Sequence, residues 1–277
     1  MKPLDIGVCS WSLAIKDLSK TLATVQQELG FAVVQVGFFG EAIPAEGEMD
    51  SIIQTVADSG LEVSATCIGF VDEDYSTLPR IAATGGYVPD DRFEQRFAET
   101  VRVADLTVKL GVDKLATHVG FVPHDRSAPR YQTMVDRVKR VADALGQRSL
   151  MLLMETGQEQ AEALATFIAD VGRTNVRVNF DPANMILYGI GEPTEAIDVL
   201  RDHIAHVHMK DATWSAQPGK TWGQEVPLGD GDADIPRVVS KLRTIGYQGP
   251  LVIEREAGHD RLGDIRYASE LLQSLLG

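Results

Sequence analysis

Residues 149–184 read SLMLLMETGQEQAEALATFIADVGRTNVRVNFDPAN. The stretch opens on an apolar run too short for a helix, passes through a segment of helical periodicity, stops at Gly172, and closes on a second short apolar run. That is one strand–helix–strand unit. Both apolar runs are rich in Val, Leu, Met and Phe, as strands buried on both faces should be. Each ends in a carboxylate, Glu155 and Asp181.

The same unit repeats outward in both directions. Strand-like runs fall at residues 4–9, 32–36, 61–68, 113–119, 150–155, 176–181, 204–209 and 251–254. Helical patterns lie between them at 17–29, 91–110, 131–145, 158–171, 233–245 and 260–275. Five of these are expected to stop at a glycine, Gly30, Gly111, Gly146, Gly172 and Gly246. Eight such units predict a single (β/α)8 TIM barrel over residues 1–277. A doubly wound sheet would carry a glycine-rich phosphate loop after its first strand, and here that strand runs into Cys9-Ser-Trp11-Ser. Two segments, 69–90 and 211–232, are longer than a strand-to-helix loop requires. They are expected above the C-terminal face, where barrel active sites sit.

Composition narrows the function. The 277 residues carry 26 Lys plus Arg against 40 Asp plus Glu, a formal charge of −14, which disfavours nucleic acid. Hydrophobic residues make up 44%, and no apolar run approaches a membrane span. The start, MKPLDIGVCSWSL, places Asp5 where a signal peptide needs an unbroken apolar core. Cys9 and Cys67 both sit in strand-like runs and read as buried free thiols. A cytoplasmic protein is expected.

The last four strands finish alike. The fifth ends at Glu155, the sixth at Asp181, the seventh reads Ile-Ala-His206-Val-His208-Met-Lys210-Asp211, and the eighth ends at Glu254. In a closed barrel these ends are neighbours, so three carboxylates and an imidazole converge. Like charges that converge need neutralising, and a divalent cation does so directly. Hard oxygen donors with one imidazole suit Mn2+ first, with Mg2+, Co2+ and Zn2+ as alternatives. His206 and His208 share a face, and the one nearer the strand end, His208, is the expected ligand.

These residues resemble the xylose isomerase-like barrel family, the group of sugar phosphate isomerases and epimerases. The resemblance runs from Val8-Cys-Ser-Trp11-Ser to Glu254-Arg-Glu-Ala-Gly258. It is strongest at Glu155-Thr-Gly-Gln-Glu159, Asn179-Phe-Asp-Pro-Ala-Asn184 and Gly229-Asp-Gly-Asp-Ala-Asp234. It implies the same metal ligands, Glu155, Asp181, His208 and Glu254. It also implies that Glu155 and Glu254 act as a catalytic acid–base pair on the two faces of a metal-bound enediolate. One departure is Asn184, which stands where ketohexose epimerases and endonuclease IV have His. An amide can bind substrate but is a poor metal ligand.

The expected activity is isomerisation or epimerisation of a sugar or keto-sugar. The alternative is a lyase or dehydratase that uses the same site on a keto-sugar, keto-glycoside or keto-inositol. Endonuclease-type DNA repair is disfavoured by charge and by Asn184, and a non-catalytic binder would tolerate a lost ligand where none is lost. His118, Asn184, Lys210, Trp11 and Arg255 are the expected substrate contacts. Alternation sets Arg255 on the face opposite Glu254. Trp222, in the second long loop, is expected to serve a lid or a subunit contact, so a homo-oligomer is admissible.

Overall fold

The computed structural model describes residues 4–277. The first three residues of the expected 1–277 barrel, and of the start read for a signal peptide, lie outside the described residues. Among the described residues ten strands form: β1 Ile6–Cys9, β2 Val33–Phe39, β3 Glu62–Gly69, β4 Lys114–Thr117, β5 Met151–Glu155, β6 Val176–Phe180, β7 Ile204–Met209, β8 Asp211–Thr213, β9 Gln224–Val226 and β10 Leu251–Ile253. Eight of them close a parallel barrel in the order β1-β10-β7-β6-β5-β4-β3-β2, and β1 pairs with β2 to seal it. β8 and β9 form a separate antiparallel pair within the 211–232 segment.

Strand parity sorts the side chains. In β7, Val207 and Met209 pack outward into the large core shared with the helices, while His206 and His208 point into the barrel. In β5, Leu152 and Met154 join that outer core, and Leu153 joins Ala65, Cys67 and Ala116 in a small apolar plug inside the barrel. Both cysteines are free and buried.

Helices cover the outside, and their ends follow local chemistry. Leu18–Ala23 is capped by Asp17, whose carboxylate accepts from the Lys20 N–H at 2.8 Å. Gly172 ends Ala161–Val171 in the left-handed conformation, as its place after the periodic run predicts. Gly146 does not act this way. The helix Pro129–Gly146 runs through it, and the chain turns instead at Ser149, with φ 59°. The two long segments hold structure of their own. The first contains the helix Leu78–Thr84, capped by Thr77 with Pro79 in its first turn, and the second contains the β8–β9 hairpin.

Asp211 builds the loop after β9. Its carboxylate accepts from the N–H groups of Ala212, Gly229, Gly231 and Ala233 at 2.8–3.1 Å. Gly229 adopts φ 95° there, a conformation an L side chain rarely takes. Among the described residues no helix is long and apolar enough to cross a membrane.

Candidate metal centre

The four strand ends meet. One ligand atom from each of Glu155, Asp181, His208 and Glu254 lies within 4.8 Å of the others, and all four residues are buried. His208 Nδ1 sits in the middle, 3.2 Å from Glu155 Oε1, 3.4 Å from Glu254 Oε2 and 3.8 Å from Asp181 Oδ2.

The ring is oriented from behind. His208 Nε2 donates to Gln35 Oε1 at 2.7 Å, which turns Nδ1 toward the carboxylates. An imidazole ligand held at its second nitrogen in this way keeps one tautomer and one direction. His206 lies one residue pair deeper in the barrel, between Ser64 Oγ at 3.0 Å and Asn179 Oδ1 at 2.8 Å.

Asp181 divides its two oxygens. Oδ1 accepts from the Ala183 and Asn184 N–H groups at 2.8 and 3.1 Å, capping the helix Pro182–Tyr188. Oδ2 is buried with no hydrogen-bond partner among the described residues. A buried carboxylate oxygen is costly to leave unpaired. Its position against two further carboxylates and an oriented imidazole fits a divalent cation.

The electrostatics say the same. Burial, with the Glu254 carboxylate beside it and against the pull of His208 and Lys210, pushes the Asp181 carboxyl up to about 6. Burial also opposes the Glu254 charge, yet the Lys210 ammonium and His208 hold that carboxyl well below its usual range. At Glu155 burial is outweighed by His118 and His208, and the carboxyl falls below its usual value. Burial works against a charge on His208, and the groups around it, the carboxylates of Glu254 and Glu155 among them, raise it well above the ordinary imidazole range.

The cluster floors a cavity of about 640 Å3 on the C-terminal face of the barrel. Trp11, in the turn after β1, donates its indole N–H to Glu254 Oε1 at 2.7 Å and meets Phe39 edge-on, with ring centroids 5.0 Å apart. Asn184 donates to Glu155 Oε1 at 3.1 Å, and His118 Nε2 is 3.6 Å from Glu155 Oε2. Lys210 Nζ reaches Glu254 at 3.0 Å and Glu256 at 2.6 Å. All four line the cavity.

Arg255 does not line it. The guanidinium turns away to Glu225 at 2.6 Å and Asp264 at 2.8 Å, as the alternation after Glu254 requires, and its direct role is to hold Glu225 in the wall. Trp222 closes the roof. Its N–H donates to the Tyr75 carbonyl at 3.1 Å and its ring lies 4.6 Å from that of Tyr188, edge to face.

Sequence reasoning passed over Gln35, Glu73, Tyr75, Tyr188 and Glu225. Only Gln35 left a signal, as a lone amide in the apolar run Val33-Val-Gln35-Val. Glu73 and Tyr75 lie in loops, Tyr188 ends the short helix Pro182–Tyr188 and Glu225 sits in β9, outside the barrel strands whose two-residue period gives a direction.

The architecture and the site define a (β/α)8 barrel with a buried cluster of three carboxylates and an imidazole at its C-terminal face, and the comparisons name its group. Residues 24–275 match the model of the xylose isomerase-like TIM barrel family, and the chain belongs to that family. A xylose isomerase domain protein from Planctomyces limnophilus is 36% identical, with a TM-score of 0.85 over 92% of this chain and 91% of that one. A xylose isomerase-like TIM barrel protein from Mycobacterium smegmatis, crystallised in complex with magnesium, shares the fold at 18% identity and a TM-score of 0.74, over 99% and 96% of the chains. A D-psicose 3-epimerase does so at 18% identity and a TM-score of 0.71, over 99% and 100%. No curated protein matches the sequence.

Proposed function

We propose that this chain is a divalent-metal-dependent enzyme of the cytoplasm, one barrel domain over residues 1–277, that isomerises or epimerises a small sugar or keto-sugar. The observation that carries the reading is the unpartnered Asp181 Oδ2, set with Glu155 and Glu254 around His208 Nδ1 at the floor of a cavity. Glu155, Asp181, His208 and Glu254 would hold the metal, Mn2+ first. Bound there, the cation would polarise a substrate carbonyl and stabilise negative charge that develops on its oxygen.

The two glutamates are the acid–base pair. Glu155 Oε2 has the long contact to His118 as its main neighbour and is the oxygen free to take a proton from carbon. Glu254 is held from both ends by Trp11 and Lys210 and serves the opposite side of the substrate. Return of the proton from that side inverts the carbon. Asn184 and His118 orient substrate hydroxyls, Lys210 offers a positive charge to an oxyanion, and the Trp11 ring covers an apolar sugar face.

The test is solvent deuterium incorporation from D2O into a keto-sugar library, read by mass. Glu155→Gln and Glu254→Gln each keep an oxygen for the metal and remove the base, so exchange should fall by ~10²–10⁴-fold. If both variants exchange at the wild-type rate, the base lies elsewhere. Exchange that ends in loss of a β-substituent, with no epimer formed, would make the enzyme a lyase.

A further inference from the structure

Below the four clustered residues the barrel interior holds a chain of polar side chains that none of the steps above uses. Ser64, His206 and Asn179 are all buried, the last two completely. Ser64 Oγ lies 3.0 Å from His206 Nε2, and His206 Nδ1 lies 2.8 Å from Asn179 Oδ1. Asn179 Nδ2 sits against the His208 ring, 3.1 Å from Nε2 and 3.3 Å from Nδ1.

The protons in this chain run one way. His206 has no carboxylate partner among the described residues, and burial keeps its ring neutral, with a single proton. The Asn179 oxygen can only accept, so that proton is on Nδ1, and Nε2 accepts from the Ser64 hydroxyl. With its oxygen taken, the Asn179 amide presents N–H to His208. Gln35 Oε1 is then the one oxygen within hydrogen-bond reach of His208 Nε2 among the described residues, and it takes the Nε2 proton. A reversed amide would put a carbonyl oxygen in the same place. That oxygen would compete with Gln35 for the Nε2 proton, or accept one from Nδ1, the nitrogen that a cation needs bare.

We propose that His206 is a positioning residue for the metal centre. By donating from Nδ1 to Asn179 Oδ1 it fixes the direction of that amide. The amide in turn leaves the His208 proton to Gln35 and the Nδ1 lone pair to the cation. This rests on the metal reading above and goes beyond it by giving a role to the histidine that is not a ligand.

The test compares His206→Asn with His206→Gln. An Asn side chain places an amide N–H where Nδ1 stands and keeps the bond to Asn179. A Gln side chain places its amide where Nε2 stands and keeps only the bond to Ser64. Gln fills the space of an imidazole better, so a role in packing alone would favour it. Mn2+ affinity, by calorimetric titration, should stay within about three-fold of wild type in His206→Asn and fall about ten-fold or more in His206→Gln, as for other outer-shell partners. The Co2+-loaded protein should follow the same order, with the visible d–d bands of wild type kept by Asn and shifted by Gln. The reverse order, or no difference, would overturn the proposal.

Ser64→Ala is the mildest change and decides the matter if a His206 variant does not fold. It should bring in the Nε2-protonated form of His206, read in long-range 1H–15N spectra, and weaken Mn2+ a few-fold. An unchanged ring and affinity would count against the proposal as fully as a wild-type ring protonated at Nε2. Wild type that binds no Mn2+ would overturn the metal reading and the role of His206 with it. Mn2+ bound by wild type, with the wrong order among the variants, overturns the role alone.

Discussion

The mouth of the barrel has two unlike sides. β1 to β3 and the turns that follow them bring Trp11, Phe39, Cys67, Ile68 and Phe70 to the cavity, whereas β5, β7 and β10 bring Glu155, Lys210 and Glu254. Below the rim the two sides interlock. Leu153 of β5 joins Ala65, Cys67 and Ala116 in the apolar plug, while Gln35 of β2 and Ser64 of β3 meet His208 and His206. The sheet is continuous, so the difference lies in the side chains alone. It shows how one closed barrel divides its labour. Rings displace water from one side and so strengthen the fields of the charges on the other. Trp11 spans the divide. Its ring lies 5.0 Å from Phe39 and 5.9 Å from His208, and its N–H holds Glu254.

Breaking the charged side should have the largest effect. Asp181→Asn keeps an acceptor for the helix cap but replaces the unpartnered carboxylate oxygen. Changes to outer-shell partners already cost ~10–100-fold in metal affinity, so loss of a ligand oxygen should exceed ~100-fold. Calorimetric titration with Mn2+ measures it, and far-ultraviolet circular dichroism checks that the fold is kept. Wild-type Mn2+ affinity in this variant would remove Asp181 from the ligand set.

A second variant asks whether every buried acid on that side belongs to the metal cluster. Glu159 follows Glu155 by four residues but lies apart from the cluster, accepting from the Val122 N–H at 3.0 Å. Burial pushes its carboxyl up to about 7. The folded protein therefore holds this proton more tightly than the unfolded chain does. Its contribution to stability is full below the unfolded value and is lost as pH rises through about 7. The whole loss should reach at most about 4 kcal/mol, from a free glutamate near ~4.3, of which about 2.5 kcal/mol falls between pH 5 and pH 8. Glu159→Gln should remove that dependence, so urea unfolding at pH 5 and pH 8 should differ less in the variant than in the wild type. An unchanged difference would show that Glu159 ionises as an ordinary glutamate.

The smallest effect is expected where the two sides join. Trp11→Phe keeps the ring against Phe39 and removes the donor to Glu254. A hydrogen bond to a charged group contributes ~1.5–3 kcal/mol, so deuterium exchange should slow about ten-fold or somewhat more, with metal affinity little changed. Equal loss of metal and rate would instead make Trp11 a support for the metal ligands.

Much of this was legible along the chain because it is local. Short apolar runs alternate with amphipathic ones, and each of the last four runs ends in a polar residue. The two-residue period then places Leu153 with Glu155, and His206 with His208, inside the barrel. The helix Leu78–Thr84 was as local as these, since Thr77 and Pro79 mark its start, yet it was hidden inside a segment read as loop. Gly146 shows the limit of that kind of reading. A glycine at the end of a periodic run usually caps the helix, but here the preferred turn moved three residues on, to Ser149.

Which polar residues share the cluster followed from the sequence alone, because strand order in a closed barrel makes successive strand ends neighbours. How they are held did not. Gln35 reaches His208 only because β1, β2, β7 and β10 close into one barrel, bringing together residues 173 positions apart. Arg255 faces Glu225 of the small β9 strand rather than the cavity, and Trp222 roofs it against Tyr75 and Tyr188, the last residue of the helix Pro182–Tyr188, through contacts between segments that share no period with the barrel strands. Periodicity fixes which way a side chain points from its own strand. Its partner across the barrel is decided by closure and packing, and those exist only in the folded chain.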